Sequence, residues 1–271
     1  MMSSELVLPL IALLLAGAGA GFAGGLFGIG GGFVVVPALV LLLPLIGTEA
    51  EQVTHIAVGT SLATIIFTSI RSVRSHAARG AVDAGVLKTW APWVVLGTGL
   101  GTMIADRISS ETLALIFGLG VLGFAVHFLT PRIREQATVQ PMPGGAARIG
   151  LAGGLGLLSA LLGIGGGTIT TVVMTLHGAS IHRAIGTASG MGAIIALPAT
   201  IGFMIIGFDE PDLPWGSVGF VNLPAAAAII ATSVLLAPLG VAAAHRLSPK
   251  LLRMVFGLYL VVVGVTMIFS K

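Results

Sequence analysis

The residues best placed to do chemistry are two runs of bare backbone. Gly28-Ile-Gly-Gly-Gly32 recurs as Gly163-Ile-Gly-Gly-Gly167, and each run interrupts a long apolar stretch. Contiguous glycines cost helix stability and expose peptide groups, which hydrocarbon tolerates only where the chain lines a cavity. Where a helix restarts after such a break, its first N–H groups lack an internal partner, and its N-terminus carries about half a positive charge. Two such termini, at Gly30, Gly31 and Gly32 and at Gly165, Gly166, Gly167 and Thr168, would hold an anion without a buried lysine. On this reading, replacing Gly31 and Gly166 by leucine abolishes transport and leaves the protein folded. The competing explanation is close helix packing, which also selects glycine and accounts well for Gly17, Gly19, Gly21, Gly24 and Gly25.

Polar side chains in apolar surroundings come next. His55 and His182 open matched segments, His55-Ile-Ala-Val-Gly-Thr60 and His182-Arg-Ala-Ile-Gly-Thr187. A neutral histidine donates a hydrogen bond to an oxyanion, and a protonated one carries a coupled charge; the bland alternative is an interfacial helix cap. Thr60, Ser61, Thr187 and Ser189 are candidates to line a polar path, although such hydroxyls often bond only the preceding turn. Arg71 and Arg183 are candidates to draw anions in, or plain topology anchors. The apolar stretches hold no carboxylate pair, metal-ligand spacing or nucleophile triad, so catalytic, metal and cofactor sites are not expected.

The elements that must carry these residues are membrane segments. Of 271 residues, 56% are hydrophobic and 8% charged, whereas a soluble domain carries roughly 25% charged residues. Apolar stretches fall at 6–27, 33–46, 53–70, 89–105 and 112–130, then at 149–162, 168–176, 184–208, 218–244 and 251–269. Between them lies a proline-rich polar linker with Arg132 and Arg134. The implied organisation is a first repeat at 1–130, a cytoplasmic linker at 131–146 and a second repeat at 147–271, within one transmembrane domain. There is no cysteine. The opening residues 1–5 contain an acid and no Lys or Arg, which disfavours a cleaved signal and makes 6–27 the first membrane segment. The scattered Lys and Arg residues follow loop alternation rather than forming a nucleic-acid patch.

Placing both termini outside puts Arg71, Arg74, Arg79, Lys88, Arg148, Arg183, Arg246, Lys250 and Arg253 in the cytoplasm with the linker, leaving Arg107 and Lys271 outside. Equivalent loops then lie on opposite sides: the loop after the third stretch is basic in the first half (Arg71, Arg74, Arg79) and acidic in the second (Asp209, Glu210, Asp212). A third match, Arg107-Ile-Ser109 with Arg246-Leu-Ser248, keeps the same order. The fold expected is an all-α polytopic membrane protein of two inverted repeats, five segments each, with re-entrant or short helices at the glycine runs. Inverted repeats are a build of secondary transporters.

With these residues in hand, the chain resembles the sulfite exporter TauE/SafE family of permeases. The resemblance rests on Gly25-Leu-Phe-Gly-Ile-Gly-Gly-Gly32 followed by Pro37, on the echo at 163–167, and on the two His-x-Ala-x-Gly-Thr segments, and it spans nearly the whole chain. It implies a multi-pass protein of the cytoplasmic membrane that moves a small sulfur-containing anion such as sulfite, a sulfonate or sulfoacetate, in either direction. A proton or sodium ion would be the co-transported partner, and a homodimer is left open. Related thiosulfate carriers rely on cysteines, which this chain lacks. The alternatives are an anion-selective channel and a non-transporting membrane subunit.

Overall fold

A computed structural model describes residues 4–130, 141–244, 246 and 249–269. Most of the expected linker, with Arg132 and Arg134, lies outside the described residues, as do Leu247, Ser248 and Lys271. The helices are α1 (Ser4–Phe27), α2 (Gly32–Leu42), α3 (Ala50–Ala77), α4 (Ala84–Ala105), α5 (Ser110–Leu129), α6 (Gly145–Leu161), α7 (Gly167–Leu176), α8 (Ile181–Ile206), α9 (Leu223–Ala244) and α10 (Pro249–Phe269). Among the described residues, five are long and apolar enough to cross a membrane: α1, α3, α5, α8 and α9.

Capping explains why several of these helices begin earlier than their apolar runs. Asp83 accepts from Val86 N–H at 3.1 Å, Ser109 from Thr112 N–H at 3.2 Å and Ser180 from Arg183 N–H at 3.4 Å. Each side-chain oxygen satisfies a donor that the helix cannot. The expected stretch at 218–244 divides instead. A short antiparallel ladder, β1 (Ser217–Val218) with β2 (Val221–Asn222), precedes α9. Gly219 at φ 54° turns the chain, and Asn222 accepts from Ala225 N–H at 3.0 Å to start the helix.

Burial sorts the helices into layers. From Gln52 to Ile65 every residue of α3 is buried, and α8 is buried over most of 184–196. These two form the centre. A helix enclosed on all sides belongs to the interior of a bundle, whereas one apolar stripe left bare faces lipid. Leu8 and Leu15 on α1, Leu96 and Met103 on α4 and Leu235 on α9 are such bare residues.

Glycines set the closest crossings. A Cβ at Gly17, Gly21 or Gly25 of α1 would strike the α9 backbone at Ile229, Ser233 and Ala237 in turn, so α1 and α9 run parallel. On α4, Gly97 and Gly101 meet Gly153 and Leu157 of α6 in the same parallel sense. The central α3 and α8 run antiparallel: Gly59 lies against Phe203, and Ser69 against Gly192. So do α5 and α10, where Gly118 meets Gly264 and Gly257 meets Leu129. These sites are glycine because helix backbones touch there.

Candidate functional site

The two glycine runs are true breaks, and they meet. Gly31 is the N-cap of α2 at φ 90°, and Gly166 is the N-cap of α7 at φ 63°, left-handed conformations that a Cβ disfavours. Gly165 N–H donates to Ile29 O at 3.4 Å, joining one break to the other. A Cβ on Gly32 would strike Gly163 O, and one on Gly167 would strike Gly28 O. Both Gly30 and Gly165 abut Ile65 of α3, and Gly165 also abuts Gly192 of α8. Ile65 and Gly192 stand near the middle of their helices, so the breaks sit about halfway through the bundle.

This contact settles what several glycines are for. Gly32 and Gly167 are required by packing, since each makes room for the carbonyl of the opposite break. Leucine at Gly31 would come within 2.6 Å of Ala20 O, and at Gly166 within 2.5 Å of Ile195 Cδ1, both at positive φ. The expectation that these leucine variants stay folded is therefore corrected: they test folding, not binding. The candidate donors are therefore the N–H ends of α2 and α7, whose first donors no helix satisfies.

An account of the hydroxyls and histidines divides the expected residues. Thr60 Oγ1 accepts from Asn222 N–H at 2.9 Å, and Thr187 Oγ1 accepts from Asp83 N–H at 2.8 Å. Ser61 donates to Gly163 O at 2.9 Å. Ser189 bonds Ser72 at 3.0 Å and Ile185 O at 3.1 Å. These four tie helices together rather than line an open path. His55 is buried with Nε2 donating to Ala105 O at 2.9 Å and Nδ1 2.9 Å from Ser110 Oγ, so it brackets the turn between α4 and α5. His182 is half-buried in the first turn of α8, one turn before Ile185, whose carbonyl abuts Gly28 of the first break.

Among the hydroxyls named from the sequence, that of Thr168 alone is buried without a hydrogen-bond partner; its residue is 2% exposed. Two more stand beside it in kind: Ser69 and Ser159, each fully buried and each unpartnered. A Cβ on Gly192 would strike Ser69 Oγ, one on Gly30 would come within 3.3 Å of it, and one on Gly166 within 2.9 Å of Ser159 Oγ. The three orphans thus come from α3, α6 and α7 and surround the breaks, with two of them at the start of α7. Leaving a buried hydroxyl unmatched costs about 1–3 kcal/mol, so three beside the breaks make this the candidate site. Ser159 had a signal, as the single polar side chain in the 149–162 run. Ser69 had none beyond membership of a serine- and threonine-rich helix.

Charge divides by face. Glu51, Asp106, Glu111 and Glu210 gather where α3 and α5 begin and α4 and α8 end, whereas Arg71, Arg74, Arg79, Lys88 and Arg183 lie at the opposite ends. On the basic face Arg183 pairs with Asp83 at 2.8 Å. Partial burial pushes the Asp83 carboxyl up, but the Val86 N–H and the Arg183 guanidinium outweigh it and hold the group below its ordinary value of 3.8. Among the described residues no group of three histidine or acidic side chains stands close enough to hold a metal.

Comparison with known proteins agrees with a membrane-embedded build. A family model described as Sulfite exporter TauE/SafE matches residues 13–267. A "Probable membrane transporter protein" of Haemophilus influenzae is 34% identical over 256 residues, covering 94% of this chain and 96% of its own. One of Methanocaldococcus jannaschii is 26% identical over 275 residues, covering 97% and 96%. A "Probable actinorhodin transporter" of Streptomyces coelicolor is 29% identical over 219 residues, 79% of this chain but 35% of its own. No solved structure matches.

Proposed function

Because the chain belongs to the sulfite exporter TauE/SafE family, a family of membrane transporters and not of enzymes, we propose that it is a secondary transporter of a small sulfur-containing anion, held between the N-termini of α2 and α7. The observation that carries this reading is the set of unpartnered buried hydroxyls of Ser69, Ser159 and Thr168 beside two helix N-termini. Hydroxyl and amide donors suit sulfite, a sulfonate or a sulfoacetate-like solute, because a sulfonate stays charged near pH 7 and needs fixed donors rather than a proton. Each charge-assisted hydrogen bond contributes about 1.5–3 kcal/mol. Gly30, Gly31 and Gly165 serve as the break that exposes these donors. The tethers Thr60, Ser61, Thr187 and Ser189, with His55 and His182, act as positioning residues around the site.

Two related halves facing opposite ways would supply the alternating access such a carrier needs. Several reciprocal contacts support inverted repeats: Gly32 on Gly163 answers Gly167 on Gly28, Thr60 with Asn222 answers Thr187 with Asp83, and α1 along α9 answers α6 along α4. Helix α2, with 11 residues, and α7, with 10, extend about 15–17 Å, half of a hydrocarbon core of about 30 Å. They are the returning arms of re-entrant hairpins, and Gly31 lying against Ala20 of α1 supports the reversal. The positive-inside rule puts the basic face in the cytoplasm and both termini outside the cytoplasmic membrane.

Flux into proteoliposomes tests the assignment. Sulfite, sulfoacetate, isethionate, taurine, sulfate and small carboxylates are offered with and without pH and sodium gradients. Saturable flux of a sulfur oxyanion with counterflow is expected, and stimulation by one gradient identifies the coupling ion. Single-channel currents, or no flux of any of these anions, sink the reading.

A further inference from the structure

A cavity lies on the acidic face, away from the glycine breaks, and its chemistry is opposite to that of the centre. Its volume is about 940 Å³, the size of pockets that take organic molecules rather than single ions. Four carboxylates line it, Glu51, Asp106, Glu111 and Glu210, and neither lysine nor arginine does. The remaining wall includes Val40, Leu115, Met267 and Phe220. Two lining residues add an observation independent of the acids. Thr48 is 7% exposed and Gln52 9% exposed, and Thr48 Oγ1 and Gln52 Oε1 are both buried without a hydrogen-bond partner. Gln52 Nε2 donates to Pro211 O at 2.9 Å, which fixes the amide orientation and leaves its oxygen as a pure acceptor awaiting a donor.

We propose that this acidic-face cavity binds a protonated organic amine with an apolar body. An ammonium group brings positive charge and N–H donors together, which answers both the carboxylates and the waiting Gln52 oxygen. The aliphatic and aromatic wall accepts the body. A chelated metal fits less well, because among the described residues no three acidic or histidine side chains converge. The site goes beyond the proposed transport of an anion, since an anion is repelled by this lining. The hydroxyls of the central site, Ser69, Ser159 and Thr168, are not among the residues that line this cavity.

Titration calorimetry on the full chain in nanodiscs of neutral phosphatidylcholine tests it, with n-hexylammonium chloride as probe and empty discs as reference. Saturable heat is expected with the amine and none above the reference with n-hexanol. Thr48→Val weakens binding about fivefold, and the Glu51→Gln/Glu210→Gln pair about tenfold or more. Sulfite leaves amine binding intact, which separates this site from the centre even if no anion is transported. Non-saturating heat, equal affinity in the double variant, displacement by sulfite, or saturable heat from sodium or calcium chloride in place of the amine overturns the proposal.

Discussion

The two glycine breaks share a backbone and differ in nearly everything around it. Gly31 and Gly166 cap their helices in the same left-handed conformation, and each break makes room for the carbonyl of the other. Yet one residue into the helix the first break presents Phe33, fully buried against Phe124 and Phe256, where the second presents Thr168. At the turn before the break, Gly24 stands in α1 where Ser159 stands in α6. One helix start is sealed by an aromatic cluster with α5 and α10, and the other is ringed by hydroxyls. The lesson is that backbone geometry and side-chain chemistry separate: the crossing needs glycine in both halves, while the start of α7 alone is ringed by unpartnered hydroxyls.

The largest effect tests the shared part. Alanine at Gly32 or at Gly167 places a methyl group on a carbonyl that cannot move without shifting the opposite break. Overpacking in a close-packed interior costs about 1–3 kcal/mol, and more where backbone must move. Both variants should fall sharply in folded yield by size-exclusion chromatography, to similar extents. If one is tolerated, the breaks are not equivalent in structure either.

The next effect tests the difference. Phe33→Ala empties a buried aromatic site and should cost about 3–5 kcal/mol in thermal unfolding, whatever it does to flux. Ser159→Ala and Thr168→Val remove unpartnered hydroxyls, so they should leave stability nearly unchanged or slightly raised. Transport should nevertheless drop about tenfold, the loss of one hydrogen bond to a charged solute. Unimpaired flux in both, with stability unchanged, would break the comparison and remove the polar centre from the mechanism.

How far these roles could be read from the chain follows from where each partner lies. Backbone breaks are local, so three glycines in an apolar run announce them, and the duplicated runs gave away their pairing. Tethers are not local. Thr60 resembles a path-lining hydroxyl because no neighbour in sequence accounts for it, yet it takes the N–H of Asn222, 162 residues away. Its counterpart Thr187 takes that of Asp83 across 104 residues. His55 stands out in sequence as a polar residue in apolar surroundings, but its bonds to Ala105 and Ser110 arise only when the α4–α5 turn folds over α3. The orphans invert this logic. Ser69 becomes visible only once the partners of the hydroxyls around it, such as Thr64, Thr68 and Ser72, are known, which requires the packed bundle.

The smallest effects come from the two tethers themselves, which differ by one ion pair. On the acidic face Thr60 holds the N–H of Asn222, and on the basic face Thr187 holds that of Asp83, whose carboxylate also pairs with Arg183 at 2.8 Å. Thr60→Val leaves a buried N–H without its acceptor and should cost about 1–3 kcal/mol, whereas Thr187→Val leaves the part-buried N–H of Asp83 and should cost less. The ion pair adds little, because the Arg183 side chain is 55% exposed and Asp83 24%; about 0.2–1 kcal/mol is expected for Arg183→Gln. It does add pH dependence. Asp83 titrates below its ordinary 3.8 when folded, so its contribution is fully present above that value and is lost as pH falls through the folded pKa. The difference in melting temperature between the parent and Asp83→Asn should therefore be constant from pH 6 to pH 5 and narrow below about pH 4. The cost of Thr60→Val should show no such narrowing, since neither Thr60 nor Asn222 titrates. A parallel acid dependence at Thr60 would mean that the two tethers melt together, and that the faces are mechanically coupled rather than independently latched.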